Sequence, residues 1–139
     1  MRGAVTAELD APFVTEGTGA GRVSLQLLGG ILYVTVEDET PGDCLLTAFQ
    51  RGVAAGWVRP GVPTLVDLTR FTGVADWAAI RAIRALAPWG TAPDARSRVA
   101  YLVRHSHFAP VIEVVSALFA RQRHKLFSQR EDALAWLRT

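Results

Sequence analysis

The sequence predicts an α/β domain built on a mostly parallel sheet. Three observations carry that prediction. From residue 22 onward, stretches with the period of a strand alternate with stretches of helical period, which is the pattern of βα units with right-handed crossovers. Two of the strand-like stretches are joined by Gly29-Gly30 alone, which suits a tight antiparallel hairpin. The run Arg98-Val99-Ala100-Tyr101-Leu102-Val103-Arg104 is apolar on both sides, as a strand inside a parallel sheet is. The order along the chain reads β-β-α-β-α-β-α-β-α.

Residues 1–21 are rich in Gly, Thr and Ala and hold no sustained period. They are expected to form a mobile arm with one short extended piece around Phe13-Val14, and residues 22–139 a single domain. Val23, Leu25 and Leu27 alternate on the first hairpin strand, and Leu32, Val34 and Val36 on the second. Thr40-Pro41-Gly42-Asp43 starts a helix, with Thr40 as the cap and Asp43 in the first turn. Leu45, Phe49 and Val53 then repeat every four residues, and Gly56 is the stop.

Thr64-Leu65-Val66-Asp67-Leu68 is the central strand, entered through Pro63. Leu65 and Asp67 point to one face, Val66 and Leu68 to the other. Residues 69–75 form a turn in which Gly73 is free to take positive φ. Asp76 caps the next helix. Ile80, Ile83 and Leu86 make the buried side of that helix. Trp77, Arg81 and Arg84 take the other side, with Arg81 stacked over the Trp77 ring.

Residues 88–97 form a loop rich in Pro, Gly and Asp. His105-Ser106-His107 opens a helix with Pro110 in its first turn and a broad apolar side of Val111, Ile112, Val115, Leu118 and Phe119. Arg121-Gln122-Arg123-His124 places cations at its negative end. Lys125-Leu126-Phe127 is a short edge strand. Ser128-Gln129-Arg130-Glu131 is a capping box for a last helix that buries Leu134 and Leu137, with Trp136 at its margin.

Half of the 139 residues are hydrophobic and a fifth are charged, an ordinary globular composition for one domain. The single cysteine, Cys44, excludes an internal disulfide and fits a reducing compartment. No apolar run is long enough for a membrane span, and no basic-then-apolar leader opens the chain, so a cytoplasmic protein is expected. The net charge of +2 is uneven. Residues 1–69 hold four basic against eight acidic side chains, and residues 70–139 eleven against five. Solvated helix faces account for the basic half without an anionic partner. Arg121, Arg123 and Lys125 lack interleaved aromatics, which argues against nucleic acid.

The element order resembles the STAS domain, the fold of sporulation-type anti-sigma-factor antagonists, and more narrowly the small SpoIIAA-like bacterial proteins. The residues that carry the likeness are Gly30-Ile31-Leu32-Tyr33-Val34, then Thr64-Leu65-Val66-Asp67-Leu68 with Gly73 and Asp76-Trp77. Arg98-Val99-Ala100-Tyr101-Leu102-Val103 and Glu131-Asp132-Ala133-Leu134-Ala135-Trp136-Leu137 complete it. The resemblance implies a mixed sheet with helices packed mainly on one face. It also implies a regulatory or interaction module whose partner meets the loop after the central strand. In the family's regulatory members a Ser or Thr at the start of the following helix is phosphorylated. Here that position falls near Asp76, which such a kinase cannot modify, and Thr72 lies several residues early.

The candidate ligand- or partner-binding residues are Asp67, Thr69, Thr72, Asp76, Trp77, Arg81, His105 and His107. Asp67 sits near the carboxyl end of a strand, where open α/β sheets bind ligands, or it accepts N–H bonds from its own turn. Thr69, Thr72, Gly73 and Asp76 surround a helix start, but the spacing of nucleotide-binding loops is missing and a cap is the simpler use of Asp76. His105 and His107 lack the further ligands a metal needs. Ser106 beside His107 lacks both a nucleophile elbow and an orienting acid. No catalytic residue, cofactor or metal is assigned. Cys44, in a helix's first turn, reads as a small buried hydrophobe. The leading expectation is a non-catalytic module binding a protein partner or small ligand, with a homodimer through an uncovered sheet face as one form. A carrier of an apolar or amphiphilic ligand, lidded by the helix of residues 108–119, is the alternative. An enzyme pairing Asp67 with His105 or His107 is the third.

Overall fold

Six strands lie side by side in chain order, each paired with the one made just before it. In the computed structural model, residues 12–59, 61–86, 97–105, 108–120 and 122–139 are described. The strands are β1 (Phe13–Thr18), β2 (Gly21–Leu28), β3 (Ile31–Asp38), β4 (Thr64–Phe71), β5 (Arg98–Leu102) and β6 (Arg123–Phe127). The helices are α1 (Gly42–Ala54), α2 (Trp77–Leu86), α3 (Ala109–Leu118) and α4 (Arg130–Leu137). β1, β2 and β3 are antiparallel, while β3 to β6 are parallel. The loops that leave β4 and β5 therefore emerge on one rim.

The strand period sorts side chains onto two faces. Val23, Leu25, Leu32, Val34, Val99 and Tyr101 belong to a main core shared with Phe49 of α1, Ile83 of α2 and Ile112 and Val115 of α3. Ile31, Leu65, Ala100 and Leu102 face the other way, onto Ala133 and Leu137 of α4. Three helices thus cover one face, and α4 packs on β4, β5 and β6 of the other. On that second face β1 and β2 have no helix among the described residues, and Phe13 and Leu28 stand exposed there.

The hairpin forms as expected. Gly29 and Gly30 sit at φ of 57° and 79°, the left-handed pair that matches strand twist in a two-residue turn. The sheet, however, begins at Phe13 and not at Arg22. Val14 is buried in the main core, and the Glu16 carboxylate pairs with Arg51 of α1. One inward apolar residue and one ion pair dock this strand, too little to register as a period. Residues 1–11 of the expected arm lie outside the described residues.

Three caps differ from expectation. α1 starts from Pro41 without a side-chain cap, because the Thr40 hydroxyl points back to the sheet and donates to the carbonyls of Arg22 and Glu37. α4 starts from Gln129, also without one, so the capping box of residues 128–131 does not form. α3 ends at Leu118, and Arg123 and His124 belong to β6, so they do not close that helix. Residues 106–107 and Arg121, and all of the loop of residues 88–97 except Ser97, lie outside the described residues. Among the described residues no helix is long and apolar enough to cross a membrane.

Candidate functional site

β4 is longer than its apolar run. It continues through Thr69 and Arg70 to Phe71, so Thr69 lies in the strand and not in the turn. The extension is made possible by a bulge. Thr35 pairs with Asp67, but Glu37 pairs with Arg70, so β4 carries one residue more than β3 between those pairs. The extra residue reverses the alternation. Leu68 and Phe71 then pack on the same core, although they are three apart. An unbroken strand would turn the Phe71 ring to the other face.

Asp67 stabilises this bulge. Its Oδ1 accepts the Thr69 N–H at 3.0 Å and the Thr69 hydroxyl at 2.6 Å, and its Oδ2 accepts from Arg130 of α4 at 2.8 Å. The carboxylate is thus fully engaged, as the structural reading of Asp67 required. Arg130 was not foreseen as its partner, because 63 residues separate the two and no local pattern links them. Replacing Asp67 with Ala should cost about 1–2 kcal/mol, the sum of a half-exposed ion pair and the hydrogen bonds from Thr69 at the bulge. Arg130→Met should cost less than about 1 kcal/mol, because the arginine is half exposed. Urea denaturation of both variants checks this; equal losses would mean that Asp67 acts only through the ion pair.

On the main-core side, the segment from Thr72 to Asp76 joins β4 to α2. The Thr72 N–H donates to the Asp38 carbonyl at 3.0 Å. Gly73 is not among the residues at positive φ; an added Cβ there would come within 2.9 Å of the Phe71 ring, so the position is constrained by close approach. Asp76 caps α2 as expected, its Oδ1 accepting the Ala79 N–H at 3.1 Å. Gly42, at the start of α1, lies against this cap: a Cβ there would meet the Asp76 carboxylate at 2.2 Å. Two helix starts are therefore locked together at one point.

Trp77 packs against the main core and does not stand on the polar side of α2. Its expected stacking with Arg81 is not formed; the cation–ring contacts among the described residues are Arg98 over Trp136 and Lys125 over Phe127. Thr72, Asp76 and Arg81 are exposed, as is His105 after β5. His107 lies outside the described residues. Asp67 and Thr69 face α4, whereas the segment 72–76 lies against α1 and α2, so the expected residues form two groups and not one. Asp67 engages Thr69 and Arg130, and no hydrogen bond links it to His105. Among the described residues no group of three or more His, Cys, Asp or Glu converges as a metal site.

Between the sheet and α1, α2 and α3 lies a cavity of about 140 Å³. Val66, Leu68, Phe71, Ile83, Ile112 and Val115 line it, and Val74, Ala75, Asp76 and Gly42 border it. The exposed Val74 on its border opens it to the surface. Phe108 borders it as well, its ring 6.1 Å from that of Phe71.

Tyr101 lines the same cavity, and its hydroxyl meets His124 Nδ1 at 2.9 Å. His124 Nε2 lies 2.9 Å from the Phe119 carbonyl, which can only accept, so Nε2 carries the proton and Nδ1 accepts from the tyrosine. Burial pushes the Tyr101 phenol far above its ordinary value. Burial also holds the His124 imidazole below its ordinary value, against a smaller opposing effect of the Phe119 carbonyl. The folded protein thus prefers neutral His124, and the unfolded chain takes up the proton more readily. Stability from this group is complete above about pH 6.5 and falls as the pH drops below it. Denaturation midpoints at pH 7.5 and 5.0 should differ more in the native chain than in His124→Asn; an unchanged difference would remove His124 as the cause. This pair was not legible beforehand, since a parallel β5–β6 register is needed to bring residues 101 and 124 together.

No protein-family model matches the sequence, and no curated protein matches it. Solved structures do. One is an uncharacterized protein with a SpoIIAA-like fold from Shewanella loihica PV-4, 17% identical, covering 91% of this chain and 93% of that one at a TM-score of 0.58. The fold is SpoIIAA-like. A second is an anti-sigma factor antagonist from Mycobacterium paratuberculosis, 15% identical, covering 92% of this chain and 96% of that one at a TM-score of 0.53. The SpoIIAA-like order places the bulged end of β4, the 72–76 segment and the start of α2 on one rim of the sheet. At these identities the likeness concerns architecture alone.

Proposed function

We propose that this protein is a non-catalytic regulatory module that binds a protein partner through the segment joining β4 to α2. The observation that carries the reading is Val74, an apolar side chain 88% exposed on that segment. A lone exposed valine is ordinary on a floppy loop. This one is presented by a segment fixed at both ends, by the Thr72 bond to Asp38 and by the Asp76 cap wedged against Gly42. Such preorganisation lowers the cost of docking. Exposed Thr72, Asp76 and Arg81 supply a polar rim around it. The SpoIIAA-like architecture, shared with an anti-sigma factor antagonist, agrees with a regulatory role. Asp76 stands near the position where the resemblance implies a phosphorylatable hydroxyl in switching members, and the module is read as one without that switch.

The test is affinity for a partner captured from the native organism. Val74→Asp and Arg81→Glu should each weaken it at least tenfold by calorimetry, with thermal unfolding unchanged. Affinities within twofold of the native value for both variants would move the partner surface elsewhere. The cavity favours a second reading, in which the protein binds a small molecule.

A further inference from the structure

We propose that the cavity beneath α1, α2 and α3 is a binding site for a small uncharged apolar molecule, a single aromatic ring or a hydrocarbon of similar bulk. The proposal does not rest on the partner surface at Val74 and can stand or fall without it.

Size comes first. Protein interiors seldom leave voids larger than a water molecule. The volume here, about 140 Å³, is close to the roughly 150 Å³ of an apolar cavity that takes up benzene or xenon. It is well below the roughly 300 Å³ at which pockets for larger ligands begin. A long acyl chain exceeds that volume and could be only partly covered, so the amphiphile carrier expected from the sequence is narrowed to a smaller guest.

Chemistry comes second. The wall is apolar, and the polar groups in its depth are already engaged. The Tyr101 hydroxyl is bonded to His124, and the Thr40 hydroxyl to the carbonyls of Arg22 and Glu37. One oxygen of Asp76 caps α2, and the residue is exposed, at the edge of the cavity and not in its depth. A polar guest would give up its water and gain no partner inside, which is costly. An apolar guest gives up no hydrogen bonds and gains contacts with the wall.

Position comes third. Val74, Ala75 and Gly42 border the cavity, and the Phe71 and Phe108 rings lie on its wall. Val74 is itself 88% exposed, so the cavity reaches the surface beside it and a guest can enter with no strand displaced.

Benzene is the probe. In a titration of the isotope-labelled chain followed by amide resonances, shifts should saturate and cluster at Val66, Leu68, Ala79, Ile83 and Ile112. Val111→Phe and Ile80→Phe each add bulk to the wall from a half-buried position, and each should weaken benzene binding at least tenfold while far-ultraviolet circular dichroism is unchanged. Two variants on different helices guard against one failing to fold. Myristate should produce no competing occupancy. The proposal is overturned if benzene near its solubility limit leaves those resonances unmoved, or if both filled variants bind as the native chain does. Myristate that displaces benzene would overturn the limit on size. Partner binding unchanged in Val74→Asp, with benzene bound by the native chain, would remove the partner surface and leave this site standing; partner binding lost in Val74→Asp, with no benzene bound by the native chain, would do the opposite.

Discussion

Replacing Phe49 with alanine is expected to destabilise the protein by about 3–5 kcal/mol, a large part of the 5–15 kcal/mol typical of a domain. Phe49 is 2% exposed and belongs to the main core, where α1 meets the sheet. Its ring also lines the cavity. Its removal therefore does not open a new void but enlarges an existing one, and the walls are already unable to close on it. The loss should fall at the upper end of the range for that reason. It should also be partly recoverable. A guest that binds the folded state alone stabilises it in proportion to the logarithm of its concentration over its dissociation constant. Urea denaturation of Phe49→Ala with and without saturating benzene reads both quantities. A loss below about 2 kcal/mol would mean that α1 collapses onto the sheet when the ring is removed.

Alanine at Gly42 should cost about 2–4 kcal/mol through a different mechanism. The added Cβ would lie 2.2 Å from Asp76 Oδ2 and 2.5 Å from Asp76 Cβ, so rotating the carboxylate away does not relieve the clash. α1 shifts, at the roughly 1–3 kcal/mol of an overpacked contact, and Asp76 leaves the Ala79 N–H and uncaps α2, at about 1 kcal/mol more. The distinguishing measurement is a double-mutant cycle with Asp76→Gly, which removes the obstructing atoms. The two substitutions together should cost less than the sum of each alone by at least about 1 kcal/mol. Strict additivity would show that Gly42 is required for some reason other than Asp76.

The elements that were legible in the sequence share a property: their signal is local. Gly29-Gly30 announced the hairpin because two residues leave no other geometry. Asp76 announced its cap because the acceptor and the N–H it serves are three residues apart. The interior position of β5 followed from one seven-residue run. What escaped was set by distant partners. Thr40 was expected to cap the helix beside it, but the carbonyls of Arg22 and Glu37 compete for its hydroxyl and win inside the protein. Trp77 looked polar by helical spacing, yet the core reaches around α2 far enough to cover it. β1 carried too few inward apolar residues to announce itself. The bulge in β4 has no sequence mark at all, and it decides where Phe71, and with it the wall of the cavity, ends up.

Chain order and sheet order coincide from β1 to β6. A nascent polypeptide can therefore extend its sheet one strand at a time as it emerges, never waiting for a later segment to fill a gap left earlier. The two sides of the sheet do not mature together, however. Three helices have been made and can close one side by the time β6 appears, whereas Leu65, Ala100 and Leu102 stay bare until α4 is synthesised. During that interval the growing domain is greasy on one side only, and that side is where a chaperone would have to act.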